Sequence, residues 1–351
     1  MTSLAVTVCA TSKYTYAMKA QARHVVANLD GFPTGVVIFV TDESAASKSV
    51  AEYWKSILPE GWALTAIRLP HLTDNHANYK NDAQLLIAQL RTAAFTEARR
   101  IRAQQVWSLD SDVLPPPNAL RCMADMLRFD GGYYSVSTCP YPSQSGTGFL
   151  GGRGTATQNI SPDFHEDERS IPEELVARKA AHEELCKTGP GTKELFEAGR
   201  LLKEEIDRCP PMGNVFTCNA KKWRLRGWLD QAYPALGLGA VVPSDWCGFG
   251  CTLLSARALS LTHFEGYAGH GTEDLFIVWQ RWTREGVRIN VIPHAPCAHV
   301  VRKEGKFVLC QPHHEQEGDV RGHLRVTYRP WYQHEAGERY DEKNDGRLSS
   351  A

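Results

Sequence analysis

The pattern of apolar and polar positions changes period repeatedly along the chain. Leu4–Cys9 is a short apolar run, punctuated by Thr11 and Ser12. Tyr14–Asn28 has helical character and stops at the Gly31–Pro33 turn. Gly35–Val40 (GVVIFV) is β-branched and wholly apolar, as a strand covered on both faces is. Ala45–Leu58 is helical again, Ala63–Leu69 a third strand and Asp82–Arg102 a long helix. Val106–Leu109 is a fourth strand, Asn118–Phe129 a helix and Tyr133–Thr138 another strand. This alternation predicts an α/β fold: a Rossmann-like, mostly parallel sheet with helices on both faces. Ligands of such sheets sit beyond the carboxyl ends of the strands.

The alternation breaks at Tyr141. A Gly/Ser/Pro/Thr-rich loop, Pro142–Pro162, is followed by two charged helical stretches, Pro172–Lys187 and Thr192–Cys209, separated by Gly-Pro-Gly. Leu195, Gly199, Leu202 and Ile206 keep helical spacing on the second, giving one apolar stripe. Residues 141–213 are therefore expected to be a loop and helical insertion packed onto the sheet. The α/β pattern resumes over 214–302, and 303–351 is expected to be a tail that wraps the body or stays mobile. The two halves of the main domain are then 1–140 and 214–302.

Composition narrows the class only a little. The 351 residues are 42% hydrophobic and 23% charged, with a net charge of −1, so no overall field argues for nucleic acid or a membrane surface. No apolar run approaches the ~18 residues a membrane-spanning helix needs, and the N-terminus lacks a signal-peptide pattern. The ten cysteines contain no C-x-x-C pair, and free thiols in a reducing, cytoplasmic setting are expected. Gly146, Gly148 and Gly151 form a G-x-G-x-x-G match, GTGFLG, but no strand precedes it and no helix follows. A loop is expected there, with the freedom to act as a lid. Lys221–Trp228 (KKWRLRGW) is a local basic–aromatic cluster; a solvated helix face is the expectation, an anionic or nucleic-acid contact the alternative.

The chemistry is suggested by VWSLDSDVLPPP, Val106–Pro117, where the fourth strand ends in two aspartates and three prolines follow. At an extended strand end, residues i and i+2 point to one side, so Asp110 and Asp112 aim together into the crevice. Paired carboxylates suit a hard divalent cation, Mn²⁺ or Mg²⁺, able to bridge a diphosphate. Alone the signal is weak, since roughly one chance D-x-D match is expected in such a chain. A polar turn after a strand explains it equally well.

Further on, Thr272 is a candidate N-cap for a helix with Glu273 and Asp274 in its first turn. Leu275, Val278, Trp279 and Trp282 supply its buried stripe. An ionised carboxylate there suits a general base, although two acids can merely stabilise a helix start. After a strand at Val287–Ile292 come His294, Cys297 and His299. His299 is a candidate third metal ligand or a structural histidine. Cys297 allows a zinc reading that no second pair supports.

The order of LDSDV, GFGCTLLSARAL, FEGYAGHGTEDLFIVWQRW and HVVR resembles GT-A nucleotide-sugar glycosyltransferases. The likeness is to the family 2-like branch, with features of the galactosyltransferase and polypeptide N-acetylgalactosaminyltransferase families, over about 1–140 and 214–302. The counterparts of the family motifs are Gly248 and Gly250, Gly271–Asp274, Arg281 and His299. His270 stands where those relatives often have Trp, and Thr272 where they have Gly. The resemblance implies that Asp110, Asp112 and His299 hold Mn²⁺ or Mg²⁺ against the diphosphate of a UDP- or GDP-sugar. It implies Asp274 as base, worth about 10²–10⁴ in rate, with Glu273 bonding the acceptor and inversion the expected outcome. Thr11, Asp42, Arg91 and Ser111 are the donor-contact candidates, and Trp246, Gly248 and His270 the acceptor-contact candidates. A core role is the alternative for Trp246, a strand-end turn for Asp42, and a surface position for Arg91. A glycan is the expected acceptor, with a hydroxymethylated DNA base of the kind some phages make as another. A nucleotidyltransferase or pyrophosphorylase is an alternative, although CATSKYT lacks the glycine-rich phosphate loop that class wants after the first strand. A sugar-nucleotide-binding module without turnover is a third reading.

Overall fold

The computed structural model describes residues 4–10, 12–69, 81–129, 135–142, 148–153, 156–157, 173–189, 192–207, 217–218, 221–224, 242–267, 272–292, 295–303, 306–317, 320–331, 339–340 and 348–349. The chain divides into two compact units, residues 1–155 with 219–351, and residues 156–218.

The first unit is built on β1 (Leu4–Ala10), β2 (Gly35–Thr41), β3 (Trp62–Arg68), β4 (Gln105–Asp110) and β6 (Ser135–Thr138). A short strand, β5 (Val113–Leu114), follows the aspartate pair. Connecting helices are α1 (Met18–Asn28, after a 3₁₀ turn at Ser12–Ala17), α2 (Ala45–Ile57), α3 (Asn81–Arg100) and α4 (Ala119–Phe129). The second half of the sheet is β11 (Val242–Ser244), β13 (Cys251–Ser255) and β14 (Arg288–Val291). The strand order is β11-β14-β6-β13-β4-β1-β2-β3. Strands β1, β2, β3, β4, β6 and β14 share one direction, and β13 and β11 oppose it. The sheet is thus mostly parallel, as the alternating pattern predicts.

Successive residues of β1 face opposite sides of the sheet. Leu4, Val6 and Val8 of β1 join Met18, Ala22 and Val25 of α1, Trp54 of α2 and Leu120 and Met123 of α4 in one core. Helix α3 packs against β1 and β2 outside that core, and Arg99 ties it to the helix Ala256–Leu261 through the carbonyls of Leu259 and Thr262 at 3.1 and 3.0 Å. Helices therefore cover both faces, and β2 is buried at nearly every position, as GVVIFV demands.

Four regions differ from the sequence expectation. GTGFLG lies partly in a strand, β7 (Gly148–Arg153), not wholly in a loop. β7 is the middle of a small antiparallel sheet, between β10 (Lys221–Arg224) and β12 (Trp246–Cys247). Its glycines stand opposite bulky partners: Gly152 faces both Lys222 and Trp246, and Gly151 faces Cys247. Pairing on both edges outweighs glycine's poor strand propensity. The same sheet makes Lys221–Arg224 of KKWRLRGW a strand rather than a helix. After Glu273–Ile277 the helix widens to a π-turn at Val278–Trp282 and tightens to 3₁₀ at Thr283–Glu285, burying Phe276 and Ile277 beyond the single stripe. Finally, within 303–351, expected to be a tail that wraps the body or stays mobile, β16 (Lys306–Glu317) and β17 (Val320–Pro330) extend β15 (Ala298–Lys303) into an antiparallel sheet on β5. A second core anchors it: Leu114, Val300, Leu309 and Trp331 pack with Ala17 and Ala20, and Tyr16 stacks on Phe307 with ring centroids 4.0 Å apart.

In the second unit, β8 (Ala156–Thr157) pairs with β9 (Thr217–Cys218), and α5 (Glu173–Thr188) packs along α6 (Lys193–Asp207). His182 of α5 bonds the Leu195 carbonyl at 2.9 Å, directly above Gly199, where a Cβ would meet the imidazole at 2.7 Å. Gly199 belongs to the α6 stripe because only a glycine lets the helices approach there.

Candidate active site

Asp110 is the last residue of β4, and its backbone N–H bonds the Gly250 carbonyl of the opposing segment at 3.0 Å. The turn that follows is held from α1. Gln21 Nε2 donates to the carbonyls of Asp110 and, at 3.3 Å, of Val113. His24 bonds the Pro115 carbonyl at 2.9 Å, and Asn28 donates to that of Pro116 at 3.0 Å. These three polar residues share one helical face, and each captures a carbonyl that the prolines or the turn leave outside the sheet ladder. The aspartates are thereby presented on a rigid support.

Asp112 lies beside His299, with Oδ1 3.4 Å from Nε2, and its Oδ2 accepts from Tyr16 at 3.2 Å. The other ring nitrogen of His299, Nδ1, is 2.7 Å from the Pro142 carbonyl and so carries a proton. In the neutral ring, Nε2 then turns a lone pair toward a carboxylate. That contact is favourable only with a positive charge at Nε2, either a proton or a cation shared with Asp112. Burial opposes the charged ring, but the Asp112 carboxylate and the bonded Pro142 carbonyl outweigh it and raise the His299 pKa. Two carboxylates and an imidazole are a donor set of the kind Mn²⁺ and Mg²⁺ take, but of the three only Asp112 and His299 are in contact; the ligand atoms of Asp110, Asp112 and His299 do not all lie within 4.8 Å of one another.

Arg91 joins this corner to the helix at Glu273. Its Nη2 is 2.5 Å from Asp110 Oδ1 and its Nη1 2.9 Å from Glu273 Oε1, with the Arg91 side chain only 5% exposed. It is a buried counterion, not a surface residue. Burial alone lowers its pKa, but Asp110, Glu273 and Asp274 raise it further, so the guanidinium stays charged. Its face also lies 5.1 Å from the Phe249 ring. Asp274 is fixed through Oδ1, which accepts from the Thr272 hydroxyl and from Leu275 N–H at 2.8 Å. Thr272 is the N-cap by position, yet its hydroxyl serves Asp274 instead of the backbone. Burial raises the pKa of Asp274, and raises that of Glu273 to about 7, Arg91 acting against both shifts. Burial thus favours the protonated form of the two carboxyls at the helix start, and the Arg91 guanidinium opposes it.

Tyr141 completes the arrangement. Its hydroxyl accepts from Gly250 N–H at 3.0 Å and donates to Asp110 Oδ2 at 3.5 Å, and burial with the Asp110 and Asp274 charges raises its pKa well above the ordinary value. A Cβ on Gly250 would stand 2.5 Å from the Tyr141 hydroxyl and 2.6 Å from Asp110 Oδ2. Gly250 is a glycine because side chains from two other segments fill that space.

The remaining candidates are spread around this centre. Ser111, between the aspartates, is buried. Asp42 caps its own turn, its Oδ1 accepting from Ser44 N–H at 3.1 Å and the Ser47 hydroxyl at 2.7 Å. Trp246 is 3% exposed on β12, the position of a core tryptophan. The Gly248 carbonyl accepts from the Thr252 hydroxyl at 2.7 Å, and Arg281 bonds the Glu265 carbonyl at 3.2 Å. Thr11, His270, Gly271 and His294 lie outside the described residues. Sequence reasoning missed Tyr16, Gln21 and Tyr141. For Gln21 a signal exists, because Gln21, His24 and Asn28 recur at helical spacing on a face that the fold buries. Tyr141 and Tyr16 acquire their partners only through contacts far apart in the chain.

No family model matches this chain, and no curated protein matches it. Among solved structures it is similar to GalNAc-T7 with UDP, GalNAc and Mn²⁺, at 9% identity over 87% of this chain and 45% of that one, TM-score 0.47. It is also similar to S. aureus TarS 1-349, at 11% identity over 85% of this chain and 59% of that one, TM-score 0.40. The chain thus spans about half the length of each.

Proposed function

We propose that this chain is a metal-dependent glycosyltransferase that moves a sugar from a nucleotide-diphosphate donor to an acceptor hydroxyl. What supports the reading is one relationship: Asp112 and His299, 187 positions apart, stand 3.4 Å from each other, with the second nitrogen of His299 already committed. Asp110, Asp112 and His299 are assigned to hold Mn²⁺ or Mg²⁺. When bound, such an ion supplies Lewis acidity to a departing diphosphate.

The chain's own residues do the rest. Arg91 pairs with Asp110 and with Glu273 and so places Asp110 next to the acidic helix start. Asp274, oriented through Oδ1 by Thr272 and Leu275, takes the proton of the acceptor hydroxyl on Oδ2. Glu273, held by Arg91 through Oε1, offers Oε2 to the acceptor. A base opposite the leaving group implies single displacement with inversion. Ser111 is assigned to the donor side, with Thr11, and Gly248 and His270 to the acceptor side. The acceptor is assigned as a glycan. Among the described residues no helix is long and apolar enough to cross a membrane.

The test is Asp274→Asn. Donor binding with Mn²⁺ is expected to persist while transfer falls by about 10²–10⁴. Wild-type turnover in that variant removes Asp274 from the mechanism. Release of inorganic pyrophosphate instead of a nucleoside diphosphate would place the chain among nucleotidyltransferases, and binding without release among sugar-nucleotide-binding modules.

A further inference from the structure

Cys139, Cys251 and Cys297 meet behind the carboxylates from three separate segments: the residue after β6, the first of β13, and the residue before β15. Their sulfur atoms all lie within 4.8 Å of one another, and all three residues are fully buried. Main-chain bonds hold the segments together: Cys139 N–H to the Cys251 carbonyl at 3.0 Å, and Cys297 N–H to that of Pro140 at 2.8 Å. With a thiolate–metal bond of about 2.3 Å, two sulfurs on one ion stand at most about 4.6 Å apart, and about 4.0 Å in a trigonal plane. Sulfur shifts of less than about 1 Å therefore close the triangle around one ion.

A second observation points the same way. The buried indole Nε1 of Trp107 completes no hydrogen bond and lies beside the Cys251 sulfur. An N–H so placed stabilises a sulfur anion far better than a neutral thiol. A donor set of sulfurs selects thiophilic d¹⁰ cations and disfavours the Mg²⁺ and Mn²⁺ that suit Asp110 and Asp112.

We propose that Cys139, Cys251 and Cys297 form a trithiolate site for one thiophilic d¹⁰ cation, of the Cu(I), Zn(II) and Cd(II) kind, separate from the carboxylate centre. As each sulfur–metal bond forms, the thiol proton leaves to solvent. The ion ties together the strand ends that carry Tyr141, Gly250 and His299, each one or two residues from a ligand cysteine, and so acts as a staple beneath the active site.

The test uses the full-length, reduced protein under anaerobic conditions, with excess Mg²⁺ to saturate oxygen ligands. Cd²⁺ is titrated in and the ultraviolet thiolate-to-metal charge-transfer band is followed. The expected result is a band that saturates at one equivalent, with X-ray absorption showing three sulfurs in the first shell. Cys186→Ser, which removes an exposed thiol of α5, is expected to keep this step, and Cys251→Ser to lose it. No band at the first equivalent, an oxygen-dominated shell, or a band retained in Cys251→Ser would overturn the proposal. The X-ray absorption measurement on the unaltered protein decides the matter even if Cys251→Ser does not fold. The outcome is independent of glycosyl transfer, because neither the probe nor the readout involves a donor sugar.

Discussion

His299 faces Asp112 through Nε2 at 3.4 Å while its Nδ1 is 2.7 Å from the Pro142 carbonyl, so the pair needs a positive charge between its two facing atoms. Below the raised pKa of His299 a proton supplies that charge. Mn²⁺ binding must then displace it. Affinity for Mn²⁺ is expected to fall as pH drops through the raised pKa of His299, with one proton released per ion bound below that pKa. Calorimetry in buffers of different ionisation enthalpy measures the proton count. A pH-independent affinity with no proton release contradicts the assignment of His299 as a ligand.

Arg91 is the only guanidinium paired with both Asp110 and Glu273 among the described residues; it is buried with Glu273, while the Asp110 side chain is 33% exposed. Removing a buried counterion leaves unpaired charge, at a cost of about 3–5 kcal/mol. Arg91→Met is expected to destabilise by this order in urea unfolding, and Glu273→Gln added to it to recover part of the loss. A change below about 1 kcal/mol would mean that the carboxylates find solvent or protons at little cost.

The pKa of Glu273 is raised from 4.5 to about 7. A carboxyl that holds its proton more tightly in the fold than in the unfolded chain stabilises below its unfolded value. That contribution is lost as pH climbs through about 7. Unfolding free energy is therefore expected to decline between pH 4.5 and about 7 from this group, and Glu273→Gln to flatten the decline. An unchanged slope in that variant assigns the proton to another carboxyl.

Gly250 leaves no room for a methyl group, with the Tyr141 hydroxyl and Asp110 Oδ2 within 2.6 Å of the position it would take. Gly250→Ala is expected to cost about 1–3 kcal/mol by overpacking. It is also expected to weaken Mn²⁺ binding, because the carboxylate is the softer neighbour to displace. Tyr141→Phe in the same background removes the hydroxyl but keeps the ring Cζ, 2.5 Å from that position, so Mn²⁺ affinity is expected to stay low in the double variant; full recovery would contradict this account.

The strands and helices of the first 140 residues were legible because their pattern is dictated by burial on two faces, and GVVIFV permits no other placement. The D-x-D pair was legible as a spacing at a strand end. Its connection to Arg91 was not, since a single arginine on an amphipathic helix carries no sign that two carboxylates await it. The glycines of β7 argue locally for a loop, whereas pairing with β10 and β12 decides the outcome. The hairpin β16–β17 carries little sign of order in its own sequence, because Phe307 and Leu309 are covered by Tyr16 and Leu114, far away in the chain. Tyr141 falls just where the sequence pattern breaks, so its role became visible only when Gly250 and Asp110 stood around it.

The central claim is that Asp110, Asp112 and His299 hold one divalent ion that serves a sugar-nucleotide donor. It is tested most directly by incubating the protein with a panel of UDP- and GDP-sugars, with and without Mn²⁺, and measuring released nucleoside diphosphate. The account predicts release from at least one donor that requires Mn²⁺ and is abolished by Asp112→Asn in a folded variant. Release that is equal with and without metal, or undiminished in Asp112→Asn, would contradict it.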